Sequence, residues 1–251
     1  MDHEQHPTTE NAVDDFYQCN IFGTEQYLMF LLGNAGPYEF TRITRLVIDI
    51  HGVYPSDGPN GPLNRIQFPP RLKDLEYINS PIDRIPDGLP ETLIRLNVSN
   101  NRITRLTGLP SNLQTLIIDN NNICDLSGIP DSVMSISCNK NRMTKVNEDT
   151  RLPPNLTSLN CEECYLEDLP SLPCTLMGLS CSDNPNLRKL PDLPPNLEYL
   201  NCSGCELVEL PKLPSPLVNL ECSNNRIHCL PCRLPLKLWR LICDNNLISA
   251  L

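Results

Sequence analysis

Thirteen cysteines and four histidines make up the soft-metal ligands and nucleophile–base candidates of this 251-residue chain. Three Cys-x-x-Cys pairs, Cys161/Cys164, Cys202/Cys205 and Cys229/Cys232, have the spacing of zinc sites and redox dithiols. Six cysteines, however, Cys138, Cys161, Cys181, Cys202, Cys222 and Cys243, recur at intervals of 23, 20, 21, 20 and 21 residues. That regularity belongs to a repeating structure. Zinc holds thiolates at ~2.3 Å, hence within about 4 Å of one another. The first two pairs lie two repeats apart, which is about 10 Å along a stack of strands. The recurring thiols therefore read as small apolar side chains in a core column. His3, His6, His51 and His228 complete no catalytic constellation. The chain is read as a non-enzyme with no catalytic residue, metal or cofactor.

The elements that position these residues follow from one unit, L-x-x-L-x-C-x-x-N-x-L-x-x-L-P-x-L-P-x-x, of about 20 residues. Its first positions fall at Leu72, Leu93, Leu113, Val133, Leu156, Leu176, Leu197, Leu217 and Leu238. A degenerate copy, Ile43-x-x-Leu46-x-Ile48-x-x-His51, precedes them, and the last copy is truncated at Leu251. Positions 4 and 6 flank one outward residue, the alternation of a short strand. Identical consecutive strands must pair in parallel. The Asn of position 9 (101, 121, 141, 184, 225 and 246) is expected to bond free backbone groups where each strand turns, forming a ladder. His51, Cys164 and Cys205 occupy that same position, so His51 reads as a satisfied core histidine. Two prolines in five residues forbid an α-helix on the return side, which must run extended or polyproline-like.

These motifs resemble the leucine-rich repeat family in its short bacterial subclass, with L-P-x-L-P on the convex side. Leu156-Thr-Ser-Leu-Asn-Cys161 followed by Leu169-Pro-Ser-Leu-Pro173 carries the likeness well, as does Leu197 to Cys202 followed by Leu210-Pro-Lys-Leu-Pro214. The resemblance covers residues 43–251. It implies a solenoid with a curved parallel β-sheet on the concave side, as in secreted bacterial effectors and repeat proteins of large viruses. Some such effectors carry a ubiquitin-ligase domain after the repeats. The sequence given ends inside a repeat, so that activity is not expected of this chain.

Charge divides the chain. The first 40 residues hold seven acids and no Lys or Arg, whereas residues 41–251 carry 23 acids and 20 bases. An acidic chain lacks the basic footprint of a nucleic-acid binder. No apolar run approaches the ~20 residues of a membrane span, and no secretory signal opens the sequence. Without such a signal the thiols are expected to be reduced and the protein cytoplasmic, in the host cytoplasm if it comes from a pathogen or virus. Neighbouring column cysteines are nonetheless close enough for disulfides. Cys229 and Cys232, at positions 13 and 16, are the thiols best placed for reactivity, unless they are incidental surface residues.

A solenoid exposes apolar ends and needs capping. Residues 1–40 are read as an acidic segment with a short helical cap over 12–32, and 41–251 as about ten repeats. The C-terminal edge has no recognisable cap, so self-association or partner capture is expected there. The outward strand positions 3, 5, 7 and 8 line the concave face, which is mostly Ser and Asn. Its candidate partner-binding residues are Arg95, Glu162, Glu163, Asp183, Tyr199, Glu221, Arg240 and Asp244. The functional reading is a protein-interaction scaffold favouring a basic partner; the plain reading is a solvated face kept polar for solubility. The rival function is a ubiquitination adaptor that recruits its machinery through residues 1–40.

Overall fold

The computed structural model describes residues 17–22, 40–49 and 67–249, with Lys145 and Glu148 excepted. Its elements are eleven strands: β1 (Tyr17–Phe22), β2 (Ile43–Asp49), β3 (Asp74–Ile78), β4 (Arg95–Asn97), β5 (Thr115–Ile117), β6 (Ser135–Ser137), β7 (Ser158–Asn160), β8 (Gly178–Ser180), β9 (Tyr199–Asn201), β10 (Asn219–Glu221) and β11 (Arg240–Ile242). They form one sheet in sequence order, and every pairing is parallel. The register sets like position against like position. Asp74 pairs with Arg95, Arg95 with Thr115, and so on to Asn219 with Arg240.

The core is periodic because the sequence is. Position 1 (Leu72 to Leu217) and position 4 (Leu75 to Leu220) are buried in every repeat from β3 to β10. Position 6 is buried as Tyr77, Val98, Ile118, Cys138, Cys161, Cys181, Cys202 and Cys222. Strands of three residues cannot bury enough apolar area alone; each relies on its neighbours above and below. Among the described residues, the return segments between β3 and β11 hold neither helix nor strand, in keeping with their prolines.

The N-terminal expectation needs correction. Among the residues expected to form a helical cap, Tyr17–Phe22 is strand β1, paired in parallel with β2 from Tyr17↔Ile43 to Phe22↔Asp49. Residues 12–16 and 23–32 lie outside the described residues, as does His51. Three of the six residues of YQCNIF are aromatic or β-branched, apolar Tyr17, Cys19 and Ile21 alternate with polar Gln18 and Asn20, and the edge of β2 supplies the backbone partners they need.

The asparagine ladder is present. Asn121 Nδ2 donates to the carbonyls of Val98 (2.9 Å), Ile118 (3.1 Å) and Asp119 (3.2 Å), while its Oδ1 accepts the Ile103 N–H (2.9 Å). Asn101, Asn141, Asn184, Asn225 and Asn246 donate in the same pattern. Just before each ladder residue the chain turns through a left-handed residue. Asn79, Asn100, Asn120, Lys140, Glu163, Asp183, Asn224 and Asn245 have φ of 52–59°, and Gly204 has 68°. Asn is the side chain that visits this region most readily after Gly.

These bonds give a stability prediction. Asn121→Ala removes four hydrogen bonds and strands buried carbonyls, a loss of about 3 kcal/mol at roughly 0.5–1.5 kcal/mol per bond. Asn121→Cys retains a donor and is expected to lose less. Urea denaturation of both variants checks this, and equal losses would show that donation is not what the ladder amide contributes.

Candidate functional site

Side chains at positions 3, 5 and 7 stand on the sheet face opposite the leucine columns. At the N-terminal end this face is closed on itself. Arg95 Nη1 reaches Asp74 (2.9 Å) and Glu76 (3.2 Å), and Arg45 Nη2 reaches Glu76 (2.8 Å). Burial opposes the Arg95 charge, but the bonds to Asp74 and Glu76 outweigh it and hold the guanidinium protonated. Arg95 is therefore already engaged by acids of the neighbouring strand.

The C-terminal half is built differently. Asp119 accepts hydrogen bonds from Ser137 Oγ–H (2.8 Å) and the Asn139 N–H (2.8 Å). Asn139 Oδ1 in turn accepts the Glu162 N–H (2.8 Å), and the Glu162 carboxylate accepts from buried Ser180 Oγ–H. This chain of polar contacts fixes the side chains across four repeats. Beyond it stand Tyr199, Glu221 and Arg240, with Arg240 Nη2 3.5 Å from Glu221 Oε1. Desolvation, followed by the nearby Glu221 carboxylate, pushes the Tyr199 phenol above its ordinary range. Asn219, between Tyr199 and Arg240 in the register, has a buried Oδ1 without a hydrogen-bond partner. Asp244 lies past the end of β11, exposed, its N–H donating to Ser223 Oγ (3.1 Å).

Thus Glu162, Tyr199, Glu221, Arg240 and, at position 7, Asp244 share the C-terminal half of the face, whereas Arg95 belongs to the closed N-terminal cluster. Glu163 and Asp183, expected on the face at position 8, are instead left-handed turn residues at its lip, Glu163 within 3.5 Å of Lys140 Nζ. Arg142 and Tyr165 stand beside them and escape the strand alternation by which the others were found. A signal for them was available: Lys140, Glu163, Asp183 and Gly204 break a column that is Asn at 79, 100, 120, 224 and 245.

The twelve cysteines from Cys124 to Cys243 are free thiols. Cys164 takes the ladder position and its thiol donates to the carbonyls of Cys138 (3.1 Å) and Glu162 (3.3 Å). Cys205 does the same toward Cys181 (3.4 Å) and Ser203 (3.7 Å). Among the described residues no group of three or more His, Cys, Asp or Glu is arranged to hold a metal ion. Desolvation raises the thiol pKa of Cys161, Cys181 and Cys202, and pushes Cys205 up to about 11 and Cys222 up to about 12. A thiol that ionises only in the unfolded chain makes folding less favourable as pH rises.

Two outcomes follow from this burial. Stability is expected to be flat below the ordinary thiol pKa of 9.0 and to fall above it, toward pH 11–12, by up to about 1.4 kcal/mol per pH unit for each such thiol. Denaturant titrations at pH 7, 9 and 10 read the slope. In the native protein at pH 8, a chromogenic disulfide reagent should label exposed Cys174, Cys229 and Cys232 quickly and the buried column only on unfolding.

No protein-family model and no curated protein matches the sequence. Solved structures do match. YopM from Yersinia enterocolitica WA-314 is 28% identical, with a TM-score of 0.63 over 82% of this chain and 47% of its own. The chain thus spans about half the length of that relative. A YopM described as a leucine-rich effector protein from Yersinia pestis is 23% identical, with a TM-score of 0.47 over 84% of this chain and 74% of its own. The leucine-rich repeat domain of APL1B shares the fold at 18% identity, with a TM-score of 0.52 over 82% of this chain and 63% of its own.

Proposed function

We propose, from the premise that this chain is a leucine-rich repeat protein of the short bacterial type, that it is a non-enzymatic scaffold binding a protein partner on the concave sheet face. The carrying observation is the fixed, acid-bearing C-terminal half of that face. Glu162 is held by Ser180, and Glu221 stands beside Tyr199 and Arg240. A partner presenting Lys or Arg side chains supplies both positive charge and N–H donors to this set. Tyr199 and Arg240 are the aromatic and guanidinium anchors of the surface. A reducing, cytoplasmic setting fits the free thiols.

The adaptor reading places recruitment on residues 1–40, of which 17–22 and 40 are described. β1 is already committed to the sheet through its pairing with β2. Self-association is supported at the other end. There β11 has one hydrogen-bonded neighbour among the described residues, and Leu236 and Trp239 stand exposed beside it.

Affinity capture from native cells, run in parallel with the wild-type chain and Glu162→Lys/Glu221→Lys, tests the scaffold reading. The wild type is expected to retain a partner that the variant loses, with Kd for the purified partner weakened at least about tenfold and binding that falls as salt rises. Identical partner sets, with both proteins equally folded by circular dichroism, would overturn it. For the edge, sedimentation velocity should show association that rises with concentration and is reduced by Trp239→Lys; a monomer at every concentration would overturn that part.

A further inference from the structure

Along the lip of the sheet, positions 8–10 of five successive repeats line an open groove of about 680 Å³, running from Asn120 to Gly204. Its volume lies within the ~300–1,000 Å³ of ligand sites. Glu162, Tyr199, Glu221 and Arg240 do not line it, so it is separate from the face proposed above.

The groove coincides with the break in the repeat pattern. Where other repeats have Asn at the left-handed position, it has Lys140, Glu163, Asp183 and Gly204. A Cβ at Gly204 would come within 2.4 Å of Asp183 Oδ1, so glycine leaves the room that the Asp183 carboxylate occupies. Tyr165 is 60% exposed beside this row, a large ring at an open position.

Charge in the groove is ordered rather than mixed. Lys140 and Glu163 neutralise each other at 3.5 Å. Arg142 on one side and Asp183 on the other, both exposed, have no ion pair among the described residues. They belong to repeats two apart, hence about 9.6 Å along the stack at the ~4.8 Å strand spacing. A polyproline II segment returns to the same face every three residues, or about 9.3 Å. An extended strand returns to one face at about 6.6 and 13 Å and an α-helix at about 10.5 Å, so the polyproline II interval is the nearest match. Aromatic side chains such as Tyr165 are the usual platform for proline rings in this conformation.

We propose that this groove binds a proline-rich polyproline II segment of a partner protein, carrying a carboxylate and a cation three residues apart. The carboxylate pairs with Arg142, the cation with Asp183, and the intervening prolines lie on Tyr165. The groove spans four repeat intervals, about 19 Å, which is the length of about six such residues.

Fluorescence anisotropy with a fluorescein-labelled peptide centred on Glu-Pro-Pro-Lys tests this, with Gln-Pro-Pro-Gln as the uncharged control. Saturable binding of the charged peptide is expected, at least about tenfold tighter than the control and weakened by salt. Arg142→Glu and Asp183→Lys should each weaken it about tenfold. The double variant Arg142→Glu/Asp183→Lys should bind the reversed peptide Lys-Pro-Pro-Glu, a rescue that a purely structural role for either residue would not give. Glu162→Lys/Glu221→Lys should leave the peptide bound, which separates this groove from the concave face. The proposal is overturned if the charged peptide does not bind, if it binds no better than the control, or if the folded charge variants bind it like the wild type.

Discussion

A strand of three residues leaves most of the backbone in its repeat without a partner inside that repeat. Everything else in this solenoid depends on how the carbonyls and N–H groups at the strand-to-return turn are satisfied once buried. One amide does most of it. Each ladder Asn donates to two carbonyls of its own repeat and one of the repeat before, and several also accept an N–H from that preceding repeat. The bond spans the repeat interface, so it fixes register as well as satisfying polar groups. The left-handed residue before it aims the turn. Leucine columns supply the apolar burial, but they do not by themselves specify which position faces which.

Because core, ladder and turn use positions 1, 4, 6, 8, 9, 11 and 14, the outward strand positions 3, 5 and 7 can vary at little cost to the fold. The sheet face exploits that freedom in two ways. Its N-terminal end spends its charges internally, through Arg45, Asp74, Glu76 and Arg95. Its C-terminal half sets carboxylates on hydrogen-bonded supports and keeps them facing outward. That asymmetry, rather than the number of acids, distinguishes the two ends.

The repeat phase was legible in the sequence because a period of about twenty residues is imposed by covalent spacing. Position 3 of every copy from Ile43 onward lies in one register, and Cys164 and Cys205 stand where Asn was expected. Strand β1 was not legible. It lies outside the repeat grammar, and its neighbours Val13 and Tyr27 to Leu32 lend the wider segment an apolar pattern with a helical reading. The eight candidate residues separated for a physical reason too. Positions 3, 5 and 7 follow strand alternation, but position 8 has left the strand, so counting by twos misplaces Glu163 and Asp183.

Departures from the repeat carry more information than the repeat itself. A thiol can replace the donor half of a ladder amide but not the oxygen that accepts an N–H. At Cys164 the missing acceptor is made good by backbone: the Met143 N–H bonds the Cys164 carbonyl at 3.0 Å, where its counterparts Ile103 and Ile123 bond a side-chain oxygen. The substitution therefore reshapes the turn instead of merely weakening it. It is in this reshaped turn that Tyr165 adopts a left-handed φ of 58° and stands exposed in the groove. The thiol replacements in the ladder, at Cys164 and Cys205, and the run from Lys140 to Gly204 that lacks Asn at the left-handed position thus fall in the same four repeats, where regular packing alone would have favoured neither.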